Sequence, residues 1–105
     1  MFFGSRLHHM SAGELRRELD TGSPVLIDVR EPEEFAAGRV PGAINLPVGS
    51  LPSAASGLDR DAEILVICRS GRRSITASKR LLKAGFTDVR DVQGGTAGWT
   101  GPLER

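Results

Sequence analysis

Cysteine is nearly absent from this sequence, since Cys68 is the only one among 105 residues. A disulfide within the chain, a CxxC redox pair and a zinc site built from several thiolates each require at least two cysteines. All three are therefore excluded. Any thiol chemistry of this chain rests on Cys68 alone.

Long apolar runs are also missing. The longest, Ile64 to Cys68, has five residues, whereas a membrane-spanning helix needs about 20. Near the N-terminus, the apolar pair Phe2 and Phe3 is soon followed by polar residues, so the apolar stretch of a signal peptide is absent. We therefore expect a soluble, cytoplasmic protein with no membrane partner.

Neither sign of charge is in excess. Fourteen Lys and Arg stand against 13 Asp and Glu, which gives a net charge of +1. A domain that binds duplex nucleic acid presents a broad basic surface, so the balance argues against a nucleic-acid partner. The length predicts a single domain at residues 10–105, preceded by an N-terminal tail at residues 1–9.

Short apolar runs alternate with amphipathic segments along the chain. The strongest strand signal is Ile64–Ile67, and the strongest helix signal is Ser74–Ala84. The other predicted elements are a helix at 11–20, a strand at 25–29, a helix at 32–38, a strand at 43–46, a small helix at 50–56, a strand at 89–92 and a helical turn near Trp99. This alternation predicts an α/β fold, a doubly wound parallel sheet with helices on both faces.

Two polar segments lie where predicted strands end, which is where ligands bind in such sheets. They are Asp28–Arg30 and the run from Cys68 to Arg73 that leads into the best predicted helix. A glycine turn at a helix N-terminus can direct several backbone N–H groups inward and form an anion-binding nest. Gly71 supplies that glycine. We therefore expect Cys68 to be held as a thiolate at the mouth of a nest.

The run from Ile67 to Ser74 resembles the active-site loop of single-domain rhodaneses, the sulfurtransferases that carry sulfur as a cysteine persulfide. The resemblance extends over roughly residues 10 to 100, through Asp28-Val29-Arg30, Glu34-Phe35 with Gly38, Pro41 to Pro47, Ala84-Gly85-Phe86, Val89, Gly94-Gly95 and Trp99. It implies a rhodanese-like fold with Cys68 as the catalytic residue. The substrate-binding loop that it implies comprises Arg69, Ser70, Gly71, Arg72, Arg73 and Ser74. Arg39 departs from the family, which often has histidine at this position. We expect the difference to affect only local packing and the charge at the rim of the active site.

Phosphatases and arsenate reductases of the dual-specificity type share this fold resemblance, and the loop length separates them from the sulfurtransferases. A phosphate-cradling loop reads Cys-x5-Arg, whereas Cys68 and Arg73 form Cys-x4-Arg. The shorter loop favours sulfur transfer, with phosphoryl or arsenate chemistry as the alternative. A non-catalytic persulfide carrier or sensing module remains open as well, because it needs the same cysteine and nest.

The residues around the loop are predicted to have mostly structural roles. Ser74 is predicted to cap the helix, Arg30 to be the structural partner of Asp28, and Trp99 to pack in the core. His8 and His9 fall in the predicted tail, so we expect the Cys68 thiolate to be stabilised electrostatically rather than by an imidazole base.

The chemistry implied by the resemblance is a double displacement at sulfur. The Cys68 thiolate attacks a small anionic donor such as thiosulfate, and a thiophilic acceptor then removes the outer sulfur of the persulfide. Cyanide or a thiol is the expected acceptor, and a partner protein is a further candidate. No metal or organic cofactor is required.

Overall fold

The structure is a computed structural model that describes residues 7–105. Within these residues, a five-stranded parallel sheet forms the centre of the fold. The strands are β1 (His8–Met10), β2 (Val25–Asp28), β3 (Ile44–Asn45), β4 (Glu63–Ile67) and β5 (Asp88–Val92). Their order across the sheet is β1-β5-β4-β2-β3, and every neighbouring pair is parallel. The helices are α1 (Ala12–Thr21), α2 (Pro32–Ala37) and α3 (Arg72–Lys83), with short 3-10 turns at Val48–Ser50, Ser53–Ala55 and Thr96–Gly98.

Strand β4 is the centre of the sheet and contributes to apolar clusters on both faces. Ile64 and Val66 pack on the side of α3, whereas Leu65 and Ile67 pack on the side of α1. Successive side chains of a strand point to opposite faces, so an uninterrupted apolar run is what a strand covered on both sides requires. The doubly wound arrangement predicted from the sequence is confirmed.

The helices follow from local signals with small differences at their ends. Helix α1 has the predicted capping box, in which Ser11 and Glu14 each accept the other's backbone N–H. Helix α3 starts two residues before the predicted Ser74, because Gly71 and not Ser74 is the residue at its N-cap. The predicted small helix at 50–56 is instead two separate 3-10 turns.

The predicted tail at residues 1–9 is wrong for His8 and His9, which lie in β1. This strand pairs with β5, and the side chain of His9 binds the buried carboxylate of Asp91. Three residues are too few to show a strand periodicity, so only the pairing with β5 reveals the strand. Residues 1–6 of the predicted tail lie outside the described residues. Within residues 7–105, no helix combines the length and apolar character needed to cross a bilayer.

A buried ion pair closes the carboxyl end of β2. Asp28 is fully buried and Arg30 is 7% exposed. The Nε atom of Arg30 donates to both carboxylate oxygens of Asp28 at 3.0 Å, and its Nη2 donates to the Gly38 carbonyl at 2.8 Å. The predicted structural partnership of Asp28 and Arg30 is confirmed. Through Gly38, the C-cap of α2, the same arginine also links the end of this helix to β2.

Replacing Arg30→Ala is expected to destabilise the protein by about 3 to 5 kcal/mol, because it leaves the Asp28 carboxylate buried without a counter-ion. Denaturant unfolding monitored by circular dichroism measures this. Arg17→Ala, at an exposed position on α1, is the matched control and should change stability by no more than about 0.5 kcal/mol. Equal stability of the two variants would show that the ion pair does not hold this end of the sheet.

Candidate active site

Cys68 follows the central strand β4 directly and lies at the carboxyl edge of the sheet. The backbone N–H of Val29, beyond the end of β2, donates to the carbonyl of Ile67 at 2.9 Å. Cys68 is itself fully buried. The polar segments after β2 and β4 therefore meet at one edge, as expected for neighbouring parallel strands, and Cys68 lies in the middle of that edge.

The Cys68 sulfur is surrounded by hydrogen-bond donors from the loop and the first turn of α3. The N–H of Gly71 donates to Sγ over 3.0 Å. Gly71 has φ +108°, a left-handed conformation that side chains other than glycine's rarely adopt. This turn is what reverses the chain after Cys68 and aims the N–H groups at the sulfur.

These donors decide the ionisation of the thiol. Burial on its own raises the pKa of Cys68, but hydrogen bonds from the backbone N–H and hydroxyl of Ser74 and from the N–H groups of Gly71 and Ser70 outweigh it. The pKa of Cys68 therefore lies below its ordinary value. The direction of this shift favours the thiolate that the sequence predicts.

Ser74 contributes differently from its predicted role. Its hydroxyl is fully buried and donates to the Gly71 carbonyl at 3.0 Å, and Ser74 is the third residue of α3 rather than its N-cap. A hydroxyl has a single proton, which can rotate from this carbonyl toward the sulfur once the sulfur carries a negative charge. Ser74 is accordingly a donor to the Cys68 thiolate and not the N-cap of α3.

The loop after β5 holds the Cys68 loop from the other side. The N–H groups of Thr96 and Ala97 donate to the carbonyls of Cys68 and Arg69 at 2.8 and 3.0 Å. With both carbonyls fixed there, the N–H groups that follow are left to face the sulfur. These two hydrogen bonds, from Thr96 and Ala97, are here named the clamp. The clamp orients the Cys68 loop and does not contact the sulfur itself.

Gly95 is what allows this close approach. A Cβ atom at Gly95 would lie 2.5 Å from the carbonyl carbon and oxygen of Arg69 and would also collide with the Cys68 carbonyl. Its φ of +56° independently favours glycine. Its sequence context predicts no individual role for Gly95, although glycine at a strand often marks a place where another backbone approaches closely.

The arginines of the loop separate into two groups. Arg73 forms a bidentate ion pair with Glu34 of α2, with N···O distances of 2.7 and 3.1 Å. Two hydrogen bonds from this guanidinium, together with the Glu31 N–H, lower the pKa of Glu34 to about 2. Arg69 and Arg72 are exposed, and neither forms an ion pair within residues 7–105. Arg73 thus joins α3 to α2, and its predicted role in substrate binding stays a prediction.

The remaining candidates take positions around the loop. Ser70 is exposed, and a cleft of about 400 Å³ opens beside the loop between Arg69, Glu34 and Leu103. Arg39 stacks on the ring of Phe35 at 4.7 Å, outside this cleft's lining.

No imidazole is needed in this arrangement. His9 is bound to Asp91 on β5, which separates its strand from β4 and Cys68. A buried thiolate held by fixed N–H groups is a nucleophile that can displace a leaving group at sulfur and then bear the product as an anion. The same donors can stabilise either a thiolate or a persulfide anion.

Comparisons with known proteins show a family match over most of the chain. The family model described as Rhodanese-like domain matches residues 11–102. A sulfurtransferase of Allochromatium vinosum is 36% identical over 84 residues, covering 80% of this chain and 78% of that protein. Thiosulfate sulfurtransferase 16, chloroplastic, of Arabidopsis thaliana is 41% identical over 87 residues, covering 70% of this chain and 71% of that protein.

Solved structures show the same architecture. A rhodanese-related protein from Thermoplasma volcanium matches with a TM-score of 0.83 and 31% identity, covering 92% of this chain and 97% of that one. Some relatives are longer, however. A Bacillus subtilis protein that is 35% identical over 101 residues is matched over 95% of this chain but only 55% of its own length.

Replacing Ser74→Ala is expected to raise the pKa of the Cys68 thiol, because the thiolate loses its hydroxyl donor. The ultraviolet absorbance of the thiolate, followed against pH, measures this directly, since the chain has one cysteine. Ser78→Ala is the matched control, because Ser78 is buried one turn further along α3 and has no hydrogen-bond partner among the described residues. If both variants titrate like the unchanged protein, Ser74 is not a donor to the sulfur.

Replacing Gly95→Ala is expected to lower stability by about 1 to 3 kcal/mol, because the new methyl group collides with the clamped carbonyls. It should also raise the pKa of Cys68, since the loop can no longer aim its N–H groups. Thermal unfolding and the thiolate absorbance together measure the two effects. Gly98→Ala is the control, as no atom lies within 4 Å of the added Cβ. A Gly95→Ala protein with unchanged titration would refute the clamp.

Proposed function

The chain belongs to the rhodanese-like domain family, and we propose that it moves sulfane sulfur from a small anionic donor to a thiophilic acceptor through a persulfide on Cys68. The family match and the relatives named as sulfurtransferases support sulfur transfer in general. The observation that carries the finer proposal is the buried sulfur of Cys68, surrounded by N–H and hydroxyl donors that lower its pKa.

The first displacement loads the cysteine. With thiosulfate as donor, the Cys68 thiolate attacks the outer sulfur, a new S–S bond forms, and the S–S bond of thiosulfate breaks. The electron pair of the broken bond leaves with sulfite. One negative charge remains on the persulfide, where the N–H group of Gly71 and its neighbours stabilise it.

The second displacement removes the outer sulfur from Cys68. The nucleophilic carbon of cyanide, or the sulfur of a thiolate, attacks the outer sulfur of the persulfide. The S–S bond to Cys68 breaks, and its electron pair returns to Sγ as the original thiolate. No external oxidant or reductant is consumed in either step. Apart from the sulfur donor and the acceptor, the cycle needs only the cysteine and the groups that donate hydrogen bonds to its sulfur.

The size of the loop supports sulfur over phosphorus as the transferred atom. Four residues, Cys68 to Gly71, separate β4 from α3. Arg73, which ends the Cys-x4-Arg segment, is bound by Glu34. A phosphoryl group needs donors around three oxygens with in-line geometry, whereas a single sulfur needs only the few N–H groups that this loop supplies.

Incubation with thiosulfate is expected to add one sulfur atom, about 32 Da, to the intact protein, and cyanide is expected to remove it, because an S–S bond to Cys68 forms and is then displaced. Mass spectrometry of the intact chain measures both steps. Cys68→Ser should stay folded and unmodified. An adduct on the serine variant would show that Cys68 is not the carrier.

Turnover separates an enzyme from a passive carrier. An enzyme should form thiocyanate continuously from thiosulfate and cyanide in amounts far above that of the protein. A single loading with no turnover at excess cyanide would favour the carrier over the enzyme.

A further inference from the structure

The exposed side of α3 is strongly basic, and it begins at the catalytic loop. Arg72, Thr76, Lys79, Arg80 and Lys83 are all exposed. Their spacing of three and four residues places them along one face of the helix, here named the basic face. It runs from the first residue of α3 to the last.

The basic face contrasts with the charge of the whole protein. The segment from Arg69 to Lys83 contains six of the 14 basic residues and none of the 13 acidic ones, although the net charge is only +1. Among the described residues, the ion pairs of α3 are limited to Arg73 with Glu34. The charges of the basic face are therefore not neutralised within the described part of the chain.

Small donors cannot account for the far end of this face. Helix α3 has twelve residues, and its first and last residues, Arg72 and Lys83, are about 16 Å apart along the axis at a rise of about 1.5 Å per residue. A molecule the size of thiosulfate bound at Cys68 contacts the beginning of α3, where a cavity of about 280 Å³ is lined by Val48, Arg72, Arg73, Thr76 and Arg80. Lys79 and Lys83 lie beyond the reach of such a donor and line a separate cleft of about 550 Å³ at the other end of the helix, so binding of the small donor does not explain them.

We propose that the basic face docks an acidic protein that carries the acceptor thiol, and so directs that thiol to the persulfide on Cys68. The inference rests on the proposed function, since it names the class of acceptor for the same site. Acidic side chains laid along α3 would pair with Lys79, Arg80 and Lys83, and the thiol at one end would meet the outer sulfur. Its thiolate attacks that sulfur, the bond to Cys68 breaks, and the electron pair returns to Sγ.

An acidic protein fits this face better than a nucleic acid does. Proteins that bind single strands combine basic side chains with exposed aromatic rings on which the bases stack. No aromatic residue occurs in the segment from Arg69 to Lys83, and the cations of the basic face lie along a single helix of a protein with a net charge of +1. The face matches a narrow acidic surface, such as one side of a helix.

The test uses protein loaded with thiosulfate and three acceptors. One is a glutamate-rich helical peptide with a terminal cysteine, the second is the same peptide with glutamine for glutamate, and the third is glutathione. The second-order rate constant for loss of the outer sulfur is measured for each. We expect the acidic peptide to react about tenfold faster than the neutral one at low salt, and the preference to vanish at about 0.5 M salt.

Two charge reversals locate the effect. K79E/K83E is expected to remove the preference for the acidic peptide while leaving the rate with glutathione unchanged. R16E/R17E changes the net charge equally at exposed positions of α1, on the opposite side of the sheet, and should keep the preference. The glutathione rate also shows that each variant is folded with an intact site.

Any other result contradicts either docking on the basic face or sulfur transfer through Cys68. Equal preference in both variants, or none in the unchanged protein, overturns docking on α3 and leaves sulfur transfer standing. Failure to load, or to transfer sulfur to any acceptor including glutathione, overturns the proposed function itself. A single-stranded oligonucleotide is added as a competitor. If it displaces the acidic peptide, binds more tightly and loses this binding in K79E/K83E, the basic face is a nucleic-acid site and docking of an acidic protein is overturned.

Discussion

A thiolate buried at the end of a strand loses its water, and it persists only where fixed hydrogen-bond donors replace that water. The structure around Cys68 is arranged to meet this requirement. The N–H of Gly71 contacts the sulfur directly, and Ser74 and Ser70 add further donors. These groups belong to a turn and to the first residues of α3, so the position of the helix and the ionisation of the cysteine depend on one another.

The surrounding contacts hold that turn in place without contacting the sulfur. Thr96 and Ala97 bind the carbonyls of Cys68 and Arg69, and the small size of Gly95 lets the two loops approach. On the opposite side, the ion pair of Glu34 with Arg73 links α2 to α3. In the proposed cycle the site is an anion both before and after loading, and fixed dipoles need no reorganisation as the charge moves from the thiolate to the persulfide.

Much of the fold was predictable because its signals are local. The run Ile64–Ile67 is typical of a strand covered on both faces, and the capping box at Ser11 marked the start of α1. The position of Cys68 between a strand and a glycine turn pointed to the nest. Where local signals were weak, prediction failed: β1 has three residues, and Ser74 has the residue type of an N-cap although Gly71 occupies that place.

By itself, the sequence determined the alternation of strands and helices from α1 onward, the place of Cys68 at the end of a strand, and the absence of a second thiol. Each of these follows from residue type and periodicity over a few neighbouring positions. Tertiary structure decided which groups meet: Glu34 binds Arg73 from 39 positions away, the loop after β5 binds the loop after β4, and His9 binds Asp91 on the neighbouring strand from 82 positions away. Such contacts arise from the packing of distant segments against a common sheet, which no local pattern encodes.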